Sequence, residues 1–266
     1  MSDFVPSYIR KISRAEKHLE DLKPIISNYI DSRPYVLTKD SSDESCPYRI
    51  HMTSSVPRDI SLISGDFIYN IRSALDHLAA ALNPPSRRRR VYFPIFWKGV
   101  WEESSEGEDQ GKLGDRRNWN SSTREMAPEA VEIIKRLQPD YDANDSDKKV
   151  HFLHGVNLLS NYDKHFEFPA VLAGIGQLTV TWVLDGISQV VTDARDWGMF
   201  KEGTRVSQIP AGATNVEMDA KARVVIRVTN PNGEVNIPVF FEHVLEMVRD
   251  RIAVPLSPYL YVPDTR

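Results

Sequence analysis

The chain has 266 residues, 41% hydrophobic and 26% charged, which is enough to bury the core of one large domain or of two smaller ones. The net charge of −4 excludes a protein that binds nucleic acid through overall positive charge, so any such site has to be a local basic patch. The single cysteine, Cys46, excludes an intrachain disulfide. The sequence shows neither a leader peptide nor an apolar run of about 20 residues, so we expect a cytoplasmic protein that does not enter a membrane.

The first third of the chain predicts two helices that flank a β-hairpin. Apolar residues recur at helical spacing over 7–31. Two short strand-like runs, 35–38 and 48–52, enclose a polar, turn-rich stretch and predict the hairpin. A second helix is predicted from Arg58 to Asn83, where two prolines follow and end it.

The second helix carries the residues with the clearest chemical potential. At about 100° per residue, its polar side chains form two stripes beside a broad apolar arc. One stripe holds Asp66, Asn70, Ser73 and His77, and the other holds Tyr69, Arg72 and Asp76. Arg72 and His77 lie about 140° apart around the axis and roughly 7.5 Å apart along it. They meet on one ligand only if both side chains bend inward or if a second copy of the helix packs across the polar face. Asp76 follows Arg72 by four residues and is placed to hold its guanidinium.

Four consecutive arginines, Arg87, Arg88, Arg89 and Arg90, form the strongest local basic signal. Charge runs are usually solvated loops. The functional alternative is a contact with the RNA backbone near the mouth of the cleft that Arg72 and His77 would form.

The middle of the chain alternates between irregular and helical patterns. Residues 101–125 are rich in charge, serine and glycine without periodicity, which predicts a long mobile loop. Residues 127–138 and 145–162 then predict two helices. Together with the two earlier helices they form a predicted four-helix set.

The pattern changes from Phe166 onward. Residues 178–184 and 223–229 alternate with a period of two, and an Asn-Pro-Asn-Gly turn leads from the second run into 235–238, which predicts a hairpin. A closing helix is predicted over 240–252. The predicted fold class is therefore α+β: an N-terminal helical bundle with a small hairpin over residues 1–165, and a β-rich module with a C-terminal helix over residues 166–266.

The second helix, which carries Arg72 and His77, resembles a helix of HEPN domains. These are helical domains of prokaryotic toxins, phage-defence proteins and RNA-processing nucleases. The string GDFIYNIRSALDHLAAAL is similar to that of a group of mostly uncharacterised bacterial HEPN-like proteins, with Arg72 and His77 matching the R-x4-6-H motif. Phe93-Pro94-Ile95 and Asp163-Lys164-His165 also match this group. The resemblance covers roughly residues 1–165.

This resemblance implies a metal-independent endoribonuclease that acts as a homodimer without a cofactor. His77 would be the general acid or base for attack by the ribose 2′-OH, and Arg72 would stabilise the phosphate charge in the transition state. The products would carry a 2′,3′-cyclic phosphate and a 5′-hydroxyl. A toxin or antiviral role, with an antitoxin or defence-system protein as partner, is implied by the resemblance alone. Ser73 stands where many active members have Asn or Asp.

The remaining candidates have structural as well as functional interpretations. Asp66 and Asn70 would orient the cleft by hydrogen bonds. Lys164 or His165 would either point into the cleft or complement the carboxyl end of a helix. His151 and His154 have a spacing that can hold a metal, but surface or interface positions are favoured and no metal is expected.

Two other functions stay open alongside the nuclease. The chain could be a non-catalytic HEPN-like module that binds RNA, a nucleotide or a protein, or a structural dimerisation module without a ligand. The structural hypothesis predicts that Arg72 and Asp76 pair within the bundle.

Overall fold

Helices and antiparallel sheets share the chain, as the α+β prediction requires. The computed structural model describes residues 5–40, 48–96, 110–139, 152–164, 170–193, 203–205, 209–210, 212–229 and 233–261. The helices are α1 (Ser7–Asp31), α2 (Arg58–Ala81), α3 (Gln110–Thr123), α4 (Pro128–Arg136), α5 (Phe152–Asp163) and α6 (Ile237–Glu246). A π-helical segment (Met247–Ala253) and two single turns (Val254–Leu256 and Ser257–Tyr259) follow α6. None of the described helices is both long enough and apolar enough to cross a lipid bilayer.

The strands form two antiparallel sheets. Their bounds are β1 (Tyr35–Lys39), β2 (Tyr48–Met52), β3 (Ala170–Leu184), β4 (Ile187–Asp193), β5 (Thr204–Arg205), β6 (Thr214–Thr229) and β7 (Gly233–Asn236). The larger sheet has the order β4-β3-β6-β7, and the smaller one has the order β1-β2-β5. Both predicted hairpins, β1–β2 and β6–β7, are confirmed. The turn at 230–232 lies outside the described residues.

The helical bundle is built on α1 and α2, which pack along each other. Apolar residues at helical spacing bury one side of each helix, from Ile12 to Ile26 in α1 and from Ile60 to Leu78 in α2. Helix α5 packs against α2, and α6 packs against α1 and α5. The rings of Phe67 and Phe241 stack with their centroids 3.9 Å apart. The closing helix is therefore part of the bundle.

Contacts also cross residue 165, where the sequence analysis divides the chain. Strand β5 pairs with β2 of the N-terminal hairpin, and Tyr48 Oη donates a hydrogen bond to the Ala213 carbonyl at 3.2 Å. The division into two domains stays a prediction.

The prediction of a loop over 101–125 is wrong for its second part. Residues 110–123 form α3, whereas 101–109 lie outside the described residues. The helix has little amphipathic pattern of its own and is held by tertiary contacts, because Trp119, Ser122 and Thr123 are buried. Packing has outweighed local propensity here.

The stacked pair gives a direct test of the closing helix. We expect Phe241→Ala to lower the free energy of unfolding by about 3–5 kcal/mol, since it removes a fully buried ring between α2 and α6. Val239→Ala on the same helix is the control, because Val239 is 63% exposed. Urea denaturation measures both, and a loss below about 1 kcal/mol for Phe241→Ala would show that α6 does not hold the bundle.

Candidate functional site

The segment 91–96, which follows the arginine run, is extended and partly buried. Val91, Phe93 and Pro94 are buried, whereas Tyr92 between them is exposed. The segment belongs to no described helix or sheet, so its backbone N–H and C=O groups have to find partners elsewhere. Side chains of α2, and that of Gln138 just after α4, supply partners for four of these groups.

Arg72 and Asp76 hold the two backbone groups of Phe93. Arg72 Nη2 donates to the Phe93 carbonyl at 3.1 Å, and the Phe93 N–H donates to Asp76 Oδ1 at 2.9 Å. Arg72 Nη2 also lies 3.0 Å from Asp76 Oδ1, which closes the arrangement with an ion pair. We call this the Phe93 clamp. It is the pairing that the structural hypothesis predicts for these two residues.

Gln138 holds the next part of the same segment. Its Nε2 donates to the Pro94 carbonyl at 3.1 Å, and its Oε1 accepts from the Phe96 N–H at 2.9 Å. The side chain is 2% exposed and also donates to the Ile134 carbonyl. Sequence reasoning missed Gln138, since a single glutamine at the end of a helix carries no recognisable signal.

Burial dominates the electrostatics of the clamp. It raises the pKa of the Asp76 carboxyl, and the opposing effects of Arg72 and of the Phe93 N–H do not restore the usual value. The side chains of Arg72 and Asp76 are only 18% and 25% exposed. Arg72 Nη1 is buried and finds no hydrogen-bond partner among the described residues.

A cavity of about 360 Å³ lies beside the clamp. We call it the clamp cavity, and its walls are formed by Arg72, Arg90, Tyr92, Phe93, Pro94, Ile95, Phe96, Asn118, Ser121, Ser122 and Asn157. It combines aromatic rings, amide groups and two guanidinium groups. Such a mixture suits a ligand that is both flat and negatively charged.

A second cavity, of about 460 Å³, is dominated by arginine. We call it the arginine cavity, and it is lined by Arg87, Arg116, Arg117, Asn120, Ser121 and Arg124. Ser121 lines both cavities, so the two adjoin. Arg87 donates from Nη2 to the Ser121 carbonyl at 2.9 Å, which ties the arginine run to α3. Sequence reasoning missed the arginines after residue 115, because it assigned them to a mobile loop.

The four arginines that were predicted to bind RNA lie in different places. Arg87 lines the arginine cavity and Arg90 lines the clamp cavity. Arg88 and Arg89 line neither of these two cavities, and Arg88 Nε donates to the Asn83 carbonyl at 3.3 Å. Arg88 to Arg90 form a short 3-10 turn with exposed side chains.

His77 does not line either cavity, although it follows Asp76 directly. Its side chain is half-buried, and its Nδ1 atom is buried without a hydrogen-bond partner among the described residues. The geometry thus gives Arg72 a structural role and leaves the imidazole of His77 on a different part of the helix surface. Ser73 is half-buried on the same helix.

The remaining polar residues of α2 gather at its contact with α1 and α5. Asn70 Nδ2 donates to the Asp66 carbonyl at 2.8 Å, and Lys11 Nζ donates to Asn70 Oδ1 at 3.5 Å. Asp163 at the end of α5 lies against Gly65, where any Cβ would collide with its carboxylate. Burial and the nearby Asp66 carboxylate raise the pKa of Asp163. A side chain at position 65 would therefore require the Asp163 carboxylate to move.

His18 of α1 also lies near this polar group. Burial and the nearby Arg14 lower the pKa of His18, against the opposing effect of Asp66.

Lys164 donates to Asn161 Oδ1 at 3.3 Å on the surface. His165 lies outside the described residues, as does His151. Within the part of the chain that the structure describes, no cluster of three or more potential metal ligands occurs.

No protein-family model matches the chain, and neither a curated protein nor a solved structure matches it.

The clamp makes a quantitative prediction about stability. We expect Arg72→Gln and Asp76→Asn each to lower the free energy of unfolding by about 1–3 kcal/mol, because each leaves a backbone group of Phe93 or a buried charge without its partner. The double variant should show a coupling of about 0.5 kcal/mol or more. Arg89→Gln is the control, since Arg89 is exposed, and it should stay within about 0.5 kcal/mol. Additive losses in urea denaturation would contradict the clamp.

Proposed function

We propose that this protein binds RNA through the arginine cavity. The observation that carries the proposal is the convergence of Arg87, Arg116, Arg117 and Arg124 on one concave surface. Guanidinium groups match phosphate oxygens with paired hydrogen bonds, and several of them at one site can track a sugar–phosphate backbone.

The local charge supports this proposal although the whole chain is acidic. Glu125 lies beside the cavity, with Oε1 3.4 Å from Arg87 Nε and 3.5 Å from Arg124 Nη2. Glu125 is thus shared between two of the arginines that line the cavity. The side chain of Arg124 is 59% exposed, so an approaching phosphate can reach it. Exposed arginines are groups that release counterions when a polyanion binds.

Neutralising single arginines tests the proposal. We expect Arg117→Gln and Arg124→Gln each to weaken the binding of a short single-stranded RNA by about 1 kcal/mol, or roughly fivefold in Kd. Each should also reduce the slope of log K against log salt by about 0.7, since one phosphate contact is lost. Fluorescence anisotropy over a salt series measures both quantities.

The matched control is Arg251→Gln, which removes the same charge from an exposed position in the π-helical segment. If it weakens binding as much as the cavity variants do, the effect is one of net charge and the proposal fails. A wild-type protein that binds DNA of the same sequence more tightly than RNA would also contradict it.

Metal-independent cleavage of RNA is a second candidate function. It is favoured by the half-buried imidazole of His77, whose Nδ1 has no partner among the described residues and which directly follows Asp76. Histidine imidazoles in general can carry a proton between a ribose 2′-OH and a leaving oxygen. Arg72 contributes less than the motif suggests, because its Nη2 group is committed to Asp76 and Phe93. A dimer would bring a second His77 to the same strand.

Cleavage in the presence of EDTA tests this candidate separately. We expect the wild type to produce fragments with 2′,3′-cyclic phosphate ends and His77→Ala to lower the cleavage rate by at least about a hundredfold with RNA affinity unchanged. His18→Ala is the control, since His18 lies on α1. Intact RNA after incubation with a wild-type protein that binds it would exclude this function and leave the binding function in place.

A further inference from the structure

We propose that the clamp cavity holds an unpaired base of single-stranded RNA while the phosphates of that strand lie in the arginine cavity. This inference rests on the proposed function and deepens it, because it adds a preference for single strands. The two cavities share Ser121 as a lining residue, which places them close enough for one strand to contact both.

The walls of the clamp cavity have the chemistry that a base requires. Tyr92 is 63% exposed and offers a free aromatic face at the rim, and Phe96 supplies a second ring. Asn118 and Asn157 carry amide groups that can donate to and accept from the edge of a base. Aromatic stacking combined with amide hydrogen bonds is how single-stranded RNA is usually recognised.

The size and rigidity of the site point the same way. A volume of about 360 Å³ is at the lower end of the range for small-ligand sites and suits one nucleoside. The Phe93 clamp and Gln138 hold the backbone directly after Tyr92, so the ring is attached to a segment that is fixed on its carboxyl side. A preorganised aromatic ring loses little entropy when a base stacks on it. Duplex RNA cannot use this cavity, since its bases are already paired and stacked.

The experiment compares three ligands in the same anisotropy assay: a single-stranded RNA of about ten nucleotides, the same strand in a duplex, and inorganic polyphosphate as competitor. The wild type should bind the single strand more tightly than the duplex. Tyr92→Ala should weaken binding of the single strand about tenfold and leave competition by polyphosphate unchanged.

Two further variants isolate the aromatic ring. Tyr92→Phe keeps the stacking surface and should bind like the wild type, and Tyr69→Ala removes a ring that is equally exposed, at 60%, but lies on α2 outside the cavity. Equal affinity of the wild type and Tyr92→Ala for the single strand, or equal affinity of the wild type for the single strand and the duplex, would overturn the base site while RNA binding itself stands. A wild type that binds neither RNA nor polyphosphate would overturn the proposed function, and the base site with it.

Discussion

The local architecture depends on one constraint: a buried, extended segment has to satisfy its backbone hydrogen bonds without a sheet. Segment 91–96 buries Phe93 to 1% exposure, and the proline that follows it has no N–H to offer. Leaving such groups unpaired costs about 1–3 kcal/mol each. Arg72 and Asp76 on one side and Gln138 on the other remove that cost with side chains instead of a neighbouring strand. Helices α2 and α4 are joined through this segment as a result.

The same constraint explains why an ion pair between Arg72 and Asp76 lies on α2. Arg72 and Asp76 sit one turn apart, so their side chains project from the same side of α2 and meet both groups of one residue. The pair would gain little as an isolated surface contact. Its value lies in the two neutral backbone groups that it holds, and in the position that it gives to Tyr92. The clamp thereby connects a packing requirement to the shape of the neighbouring cavity.

Much of the fold follows from periodicity, and much of the site does not. Helices α1 and α2, both hairpins and the α+β class could be predicted because apolar spacing directly reports which faces are buried. Helix α3 could not, since its buried Trp119 and Ser122 reveal themselves only through tertiary contacts. The ion pair of Arg72 with Asp76 was predictable from a four-residue spacing. The partner that it serves, Phe93, lies 21 residues from Arg72, and no local pattern reports such a contact.

The guanidinium of Arg72 shows how a structural and a binding role can coexist. A guanidinium carries five N–H donors in a fixed plane, and Nη2 alone serves both Asp76 and Phe93. Burial raises the pKa of the Asp76 carboxyl, and the charge of Arg72 and the hydrogen bond from the Phe93 N–H oppose that shift. Because Arg72 is held in place before any ligand arrives, its field is available without a rearrangement of the clamp. The residue that anchors the buried segment therefore also forms part of the wall of the clamp cavity.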